Sequence, residues 1–184
     1  MVKLNKIYTR TGDEGRTGLT GGARTAKSSL RVEAMGAVDE ASSAIGLARL
    51  DAASDADAML ARIQHDLFDL GADLSTPAQG ERDLRITALQ VERLEREIDA
   101  MNASLSPLAS FILPGGTGSA AHLHLARAIA RRAERAIVAL SAEEPVNPLA
   151  LQYANRLSDH LFVIARIANA KGTGDVLWVP GKNR

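Results

Sequence analysis

The strongest constraint on this chain is a set of apolar stripes at spacings of three and four. Val32, Met35, Val38, Ala41, Ile45 and Ala48 make one, and Met59 or Leu60, Ile63, Leu67, Leu70 and Leu74 a second. Ile129, Ala133, Ile137 and Leu140 make a third, and Ala154, Leu157, Leu161, Ile164 and Ala168 a fourth. Such recurrence is one face of an α-helix and excludes alternating strands over those lengths. Helices are therefore expected from about Ser29, from a Ser54 N-cap to Leu74 with Pro77 closing it, and from Ser119 as cap to about Ala142. The helix that follows Ser119 would be on the order of 35 Å long. Asn147-Pro148 places an N-cap beside Pro at N1 and opens a last long helix ending near Lys171-Gly172. Thr87-Ala-Leu-Gln90 reads as a capping box for a shorter, heavily charged surface helix carrying Leu89, Leu94 and Ile98. Between these lie a polar loop at 75–86 and a break at 110–116, marked by Pro114 and Gly115-Gly116. No strand pair and no internal repeat is expected. The fold class is all-α, a five-helix up-and-down bundle preceded by an irregular N-terminal segment. A single domain is expected over 1–184, divided into a loop at 1–27, the bundle at 28–172 and a short extended tail at 173–184.

Composition narrows the function classes. Lysine plus arginine equals aspartate plus glutamate, 22 each, which argues against a broad nucleic-acid or anionic-membrane surface. The absence of cysteine removes disulfides, a thiolate nucleophile and thiolate zinc sites. The start MVKLNKIYTR has no apolar core of a signal peptide, and no run is long enough to span a bilayer, so a cytoplasmic protein is expected. Abundant alanine and scarce aromatics suit closely packed helices.

Thr9 to Gly22, TRTGDEGRTGLTGG, follows neither period. Gly12, Gly15, Gly18 and Gly21 recur every third residue, with Thr9, Thr11, Thr17 and Thr20 between them. Glycine lets backbone N–H groups crowd around an anion, and threonine hydroxyls add donors. Arg10, Arg16, Arg24 and Lys27 add positive charge. The stretch is neither a Walker A loop nor a dinucleotide fingerprint. On composition alone a flexible leader and a triphosphate cradle both remain open.

Further along, His124, Arg127, Arg131, Glu134 and Arg135 share one helix face. Arginine forks match phosphates and carboxylates, although a solvated face is the commoner outcome on a bundle helix. Gln152, Asn155, Arg156, Asp159 and Arg166 line another face, where surface ion pairs are the ordinary reading. Asp39-Glu40 sits in the first helix. His122 and His124 point in different directions, and the four histidines make no metal site by themselves.

KIYTRTGDEGRTGL at 6–19, VDE at 38–40, FILPGG at 111–116, ARAIARRAER at 126–135 and NRLSDHLFVIAR at 155–166 together resemble the PduO-type ATP:cob(I)alamin adenosyltransferases. The resemblance covers nearly the whole chain, in matching order and spacing. It implies a homotrimer of five-helix bundles with an active site at each subunit interface. The implied reaction moves the 5′-deoxyadenosyl group of ATP to the cobalt of cob(I)alamin, giving adenosylcobalamin and triphosphate. Thr9, Arg10, Thr11, Gly12, Asp13, Gly15, Thr17 and Lys27 would wrap the triphosphate, and Arg131, Glu134 and Asn155 would complete the ATP site. Mg²⁺ would be carried on the phosphates, with no metal site from the protein alone. Arg127 would pair with Asp39 of a neighbouring subunit. Phe111 would lie under the corrin and keep the lower axial ligand off the cobalt, with Asp159 shaping the cobalamin side. Electrons would come from a separate reductase, and the product would go to an adenosylcobalamin-dependent enzyme. The sequence departs from the family at MGAVDEASS, where Met35, Ala41 and Ser42 replace an aromatic, Leu and Asn, and in ARTAKSSLR, which lacks a Pro before Lys27. A non-catalytic cobalamin carrier on the same bundle is the alternative, and a helical interaction module with a disordered leader is a third reading. The intact loop with Arg131 and Asn155 speaks against the carrier.

Overall fold

The computed structural model describes residues 7–77 and 83–184. Five helices make its body: α1 (Leu30–Arg49), α2 (Ser54–Leu74), α3 (Ala88–Asn102), α4 (Gly118–Glu143) and α5 (Pro148–Ala168). α1 packs on α2 and on α4, α4 on α5, and α3 on the outside of α5, while α2 also touches α5. The expected stripes face inward. Val38, Ala41, Ile45 and Ala48 of α1 meet Leu123, Ala126, Ala130, Ala133 and Ile137 of α4 in a single buried core. Alanine dominates both faces of that contact, and small side chains let helix axes approach closely. Leu60, Ile63, Leu67, Leu70 and Leu74 supply the α2 share, and Leu157, Leu161 and Ile164 the α5 share.

The caps follow local chemistry. Ser29 accepts from the Val32 N–H at 3.4 Å, and Asn147 from the Leu149 N–H at 3.1 Å. The Thr87/Gln90 capping box forms as expected. Asn147 also donates to the Asp73 carboxylate at 2.7 Å and to the Ile86 carbonyl at 2.9 Å. Asp73, 1% exposed, accepts further from the Ile86 N–H and from Arg85. One buried carboxylate thus joins the end of α2, the entry to α3 and the start of α5.

Several expectations need correction. Ala53, not Ser54, is the N-cap of α2, and it makes no side-chain cap bond. Thr117 caps α4 by accepting from the Ala120 N–H at 3.2 Å, whereas Ser119 is buried inside the first turn. α5 ends at Ala168, because Ala170 and Lys171 both take positive φ and unwind the chain before Gly172. Leu89 is 71% exposed, and Val91 joins Leu94 as the buried apolar contact of α3. Part of the polar loop expected at 75–86, residues 78–82, lies outside the described residues, as does Lys6.

The N-terminal stretch holds a strand pair that was not expected. β1 (Arg16–Gly18) and β2 (Arg24–Ala26) run antiparallel with Thr17 opposite Thr25. The turn closes with the Leu19 N–H on the Ala23 carbonyl at 2.7 Å, and Gly21 and Gly22 adopt φ of 85° and 87°. That conformation favours glycine. At the other end, the tail expected to be extended over 173–184 is so only at 175–179, with turns at 173–174 and 180–183, and it is stitched to the break before α4. Ile112 bridges Leu177, the Leu113 N–H donates to the Val176 carbonyl and the Trp178 N–H to the Phe111 carbonyl.

Candidate active site

The hairpin is cationic and held by polar ties. Arg24 donates to the Thr11 carbonyl at 2.6 Å and to the Arg16 carbonyl at 3.2 Å, and Arg16 returns a bond to the Arg24 carbonyl at 2.8 Å. Thr9 and Thr11 join hydroxyls at 2.9 Å. Arg10 has a φ of 62° and sets its guanidinium over the Tyr8 ring. The Lys27 N–H donates to the Gly15 carbonyl at 2.8 Å, and the Lys27 ammonium lies over Gly12, where a Cβ would come within 3.0 Å of Nζ. A Cβ at Gly12 would push the Lys27 ammonium aside by a few tenths of an ångström. Asp13 and Gly15 are exposed just before β1, at the open end of the hairpin, and Thr17 sits in β1. The hairpin is fixed to the C-terminal end of α2, where Thr20 makes backbone and hydroxyl bonds to Ser75. Threonine hydroxyls, glycine backbone and cations in one segment suit a polyanion.

A second constellation lies along α4 and α5. Asn155 donates to Glu134 at 2.8 Å and accepts from Arg156 at 2.7 Å, and Arg156 pairs with Glu95 of α3 at 2.8 Å. Arg131 is exposed, and its side chain meets no partner among the described residues. The expected arginine face divides. Arg132, one step off that face, reaches back to Glu33 and Glu40 of α1, while Asp39 beside Glu40 has no ion pair among the described residues. Arg135 turns to the Arg131 carbonyl.

The third constellation is a cleft of about 650 Å³ bounded by the 108–112 segment, α4, α5 and the tail. Phe111 stands at its lip, 78% exposed, with its ring centroid 6.2 Å from that of Trp178. Phe162 meets His124 edge-on at 6.2 Å. Arg127 lines the same cleft with its Nε buried and without a partner among the described residues. Burial, and then the charge of Arg131, lowers the affinity of Arg127 for its proton. His124 is held below the usual histidine range by burial and by Arg127, with Asp175 opposing. An aromatic cleft with few polar groups suits a large, flat, mostly apolar ligand.

The structure therefore brings the loop residues together, brings Glu134 and Asn155 together, and places Phe111 and Arg127 on one cleft. Asp159 is exposed on α5 and is not among the residues lining that cleft. Asp39 lines a separate groove of about 310 Å³ between α1 and α2, with Met35 and Phe68, and does not meet Arg127 within the chain. No hydrogen bond or ion pair among the described residues joins the hairpin to the α4/α5 residues; its ties run to α2. Ser75, Phe162 and Trp178 were missed as site residues. Trp178 carried a usable signal, as the single tryptophan of a chain with 3% aromatics.

Fold and site together define a helical-bundle protein with a phosphate-type hairpin at one place and an aromatic ligand cleft at another. Comparison with known proteins makes this specific. A family described as cobalamin adenosyltransferase matches residues 7–168. A cobalamin adenosyltransferase of Cupriavidus metallidurans is 51% identical over 179 residues, spanning 96% of this chain and 95% of that protein. A corrinoid adenosyltransferase of Bacillus subtilis is 49% identical over 177 residues, spanning 93% and 91%. Among solved structures, a Phe-to-His variant of a PduO-type ATP:corrinoid adenosyltransferase from Lactobacillus reuteri, complexed with cobalamin and ATP, superposes with a TM-score of 0.89. That pair is 41% identical and covers 95% of this chain and 97% of the other. The chain belongs to the cobalamin adenosyltransferase family.

Proposed function

We propose that this chain transfers the 5′-deoxyadenosyl group of ATP to the cobalt of cob(I)alamin, forming adenosylcobalamin and triphosphate. The observation that carries the reading is the match, over 95% of the chain, to a fold solved with both cobalamin and ATP. In the reaction the cobalt lone pair forms the bond to C5′ as the C5′–O bond breaks, and the electron pair leaves on triphosphate. No proton moves and no protein nucleophile is needed. The protein must hold C5′ in line with cobalt, roughly 3–3.5 Å away, and stabilise charge building on the leaving group.

Thr9, Arg10, Thr11, Gly12, Asp13, Gly15, Thr17 and Lys27 would bind the triphosphate. The ammonium over Gly12 supports this. Arg131 would add a charge-assisted contact from α4, and the Asn155–Glu134 pair would hold the nucleoside end. No three carboxylate or imidazole side chains cluster among the described residues. Mg²⁺ would ride on phosphate oxygens, its usual arrangement with nucleotides. Phe111, presented to the cleft on the segment that bridges to the tail, would press on the lower corrin face and exclude the axial ligand. Asp159 would act at the edge of that site.

Among the described residues no hydrogen bond or ion pair ties the hairpin to the α4/α5 residues, and Asp39 and Arg127 open onto different hollows. Both facts favour a site completed between subunits, with Arg127 pairing to Asp39 of a neighbour in a homotrimer. The whole chain would act as one domain, in the cytoplasm, fed by a separate cobalamin reductase and serving an adenosylcobalamin-dependent enzyme. No helix among the described residues is long and apolar enough to cross a membrane.

The test is anaerobic. Protein, chemically reduced cob(I)alamin and MgATP are mixed and the visible spectrum followed. A light-sensitive adenosylcobalamin spectrum is expected. Binding without conversion would mean a carrier, and no binding would remove the corrinoid reading altogether.

A further inference from the structure

His124 is 2% exposed, yet neither of its ring nitrogens has a hydrogen-bond partner among the described residues. Buried polar atoms are nearly always paired, so a doubly unpaired imidazole demands a reason. His160 leaves only Nδ1 unpaired, because its Nε2 meets Glu97, and His122 is only half-buried, with Nδ1 its one buried unpaired atom. His124 differs because it lines the 650 Å³ cleft, beside Arg127 and across from Phe162. Ser110 of that lining already donates to the Trp178 carbonyl at 2.7 Å.

We propose that His124 is a specificity-determining residue of the corrinoid cleft, where its imidazole exchanges hydrogen bonds with a peripheral carboxamide of the corrin. The inference rests on the corrinoid reading above and deepens it. A neutral imidazole offers one N–H donor and one acceptor nitrogen, and a primary carboxamide offers the complement of both. Arg127 can only donate, so it cannot replace His124 toward an amide N–H. The charged groups facing the ring are Arg127 from α4 and Asp175 from the tail. α5 presents Phe162, and the 108–112 segment has no ionisable side chain. With burial and Arg127 both disfavouring a second proton, the ring keeps its acceptor nitrogen at neutral pH.

The test is steady-state kinetics under anaerobic conditions, with chemically reduced cob(I)alamin and MgATP, on wild type, His124→Leu and His124→Gln. The leucine variant should raise the cobalamin KM by roughly 5-fold or more, with kcat and the ATP KM little changed. Glutamine carries both a donor and an acceptor and should restore most of the loss. Equal KM values for all three proteins would overturn the assignment. So would leucine and glutamine variants that lose kcat and ATP affinity alike, because a disturbed core would do that. If wild type makes no adenosylcobalamin, the proposed function itself fails. If wild type turns over and the leucine variant keeps its cobalamin KM, only the role of His124 fails.

Discussion

Asp66 and Tyr153 give the sharpest test of what holds α3 and α5 on α2. Tyr153 is fully buried, and its hydroxyl donates to Asp66 at 2.9 Å. Asp66 also accepts from Gln90 at 3.0 Å and pairs with Arg93 of α3. Burial, then the Asp66 charge and hydrogen bond, push the tyrosine hydroxyl well above its ordinary range, so it remains a donor at every working pH. Tyr153→Phe alone removes one hydrogen bond to a charged acceptor and should cost about 1.5–3 kcal/mol. Asp66→Ala leaves that hydroxyl without an acceptor, at about 1–3 kcal/mol, and releases Arg93. Arg93 is about one-third exposed, so its loss of a partner adds little once solvent screening is allowed for. Adding Tyr153→Phe to Asp66→Ala then removes an orphaned hydroxyl, and should be neutral or stabilising. The sign of the same substitution thus changes with its background, a coupling of about 2 kcal/mol. Thermal unfolding by circular dichroism, at one fixed protein concentration, reads this at about 2–4 °C per kcal/mol for a chain of this size. Effects that add to within about 0.5 kcal/mol would refute the reasoning.

Three further outcomes are expected. Arg131→Ala should lower turnover with ATP by roughly 10- to 150-fold, the value of a charge-assisted contact, and unchanged kinetics would remove Arg131 from the nucleotide site. Phe111→Ala should slow reaction from cob(II)alamin with a reductant while sparing chemically made cob(I)alamin; equal losses on both would mean that Phe111 does not act on the axial ligand. For Glu97, burial works to raise the carboxyl pKa, but the hydrogen bond and charge of His160 and the pairing with Arg62 outweigh it, leaving it below the ordinary 4.5. A depressed acid adds stability above its unfolded pKa and loses it as pH falls through the folded one. Urea midpoints of wild type should therefore drop more steeply below pH 4.5 than those of Glu97→Gln, and parallel curves would contradict this.

Much of the fold was legible because helical burial is periodic. All the α2 stripe from Leu60 to Leu74 is buried, and Asn147-Pro148 marks the start of α5. The errors fall where one residue decides between near-equivalent local options. Ser54 and Ser119 are both good caps in isolation, but packing shifted each helix start by a residue or two. The hairpin escaped notice because three-residue strands leave no period to detect, and its turn depends on two glycines rather than on apolar alternation. At the site, glycine and threonine chemistry pointed to the loop, and the family resemblance pointed to Phe111. Neither could divide the arginine face, because Arg127, Arg131 and Arg135 share one side of the helix and differ only in what lies opposite each. The cleft was illegible in its tail wall, since Trp178 reaches Phe111 from across the chain through backbone pairing that no side-chain pattern encodes.

The pairing of Phe111 with Trp178 also makes the molecule self-reporting. Trp178 is the chain's single tryptophan, so all indole fluorescence arises at the lip of the cleft. Corrins absorb across the near-ultraviolet and visible, where indole emits, so a corrin seated in the cleft would quench that emission. Light from the unlabelled protein is thus an optical gauge of that one cleft, with no emission from elsewhere in the chain's tryptophan content to dilute it.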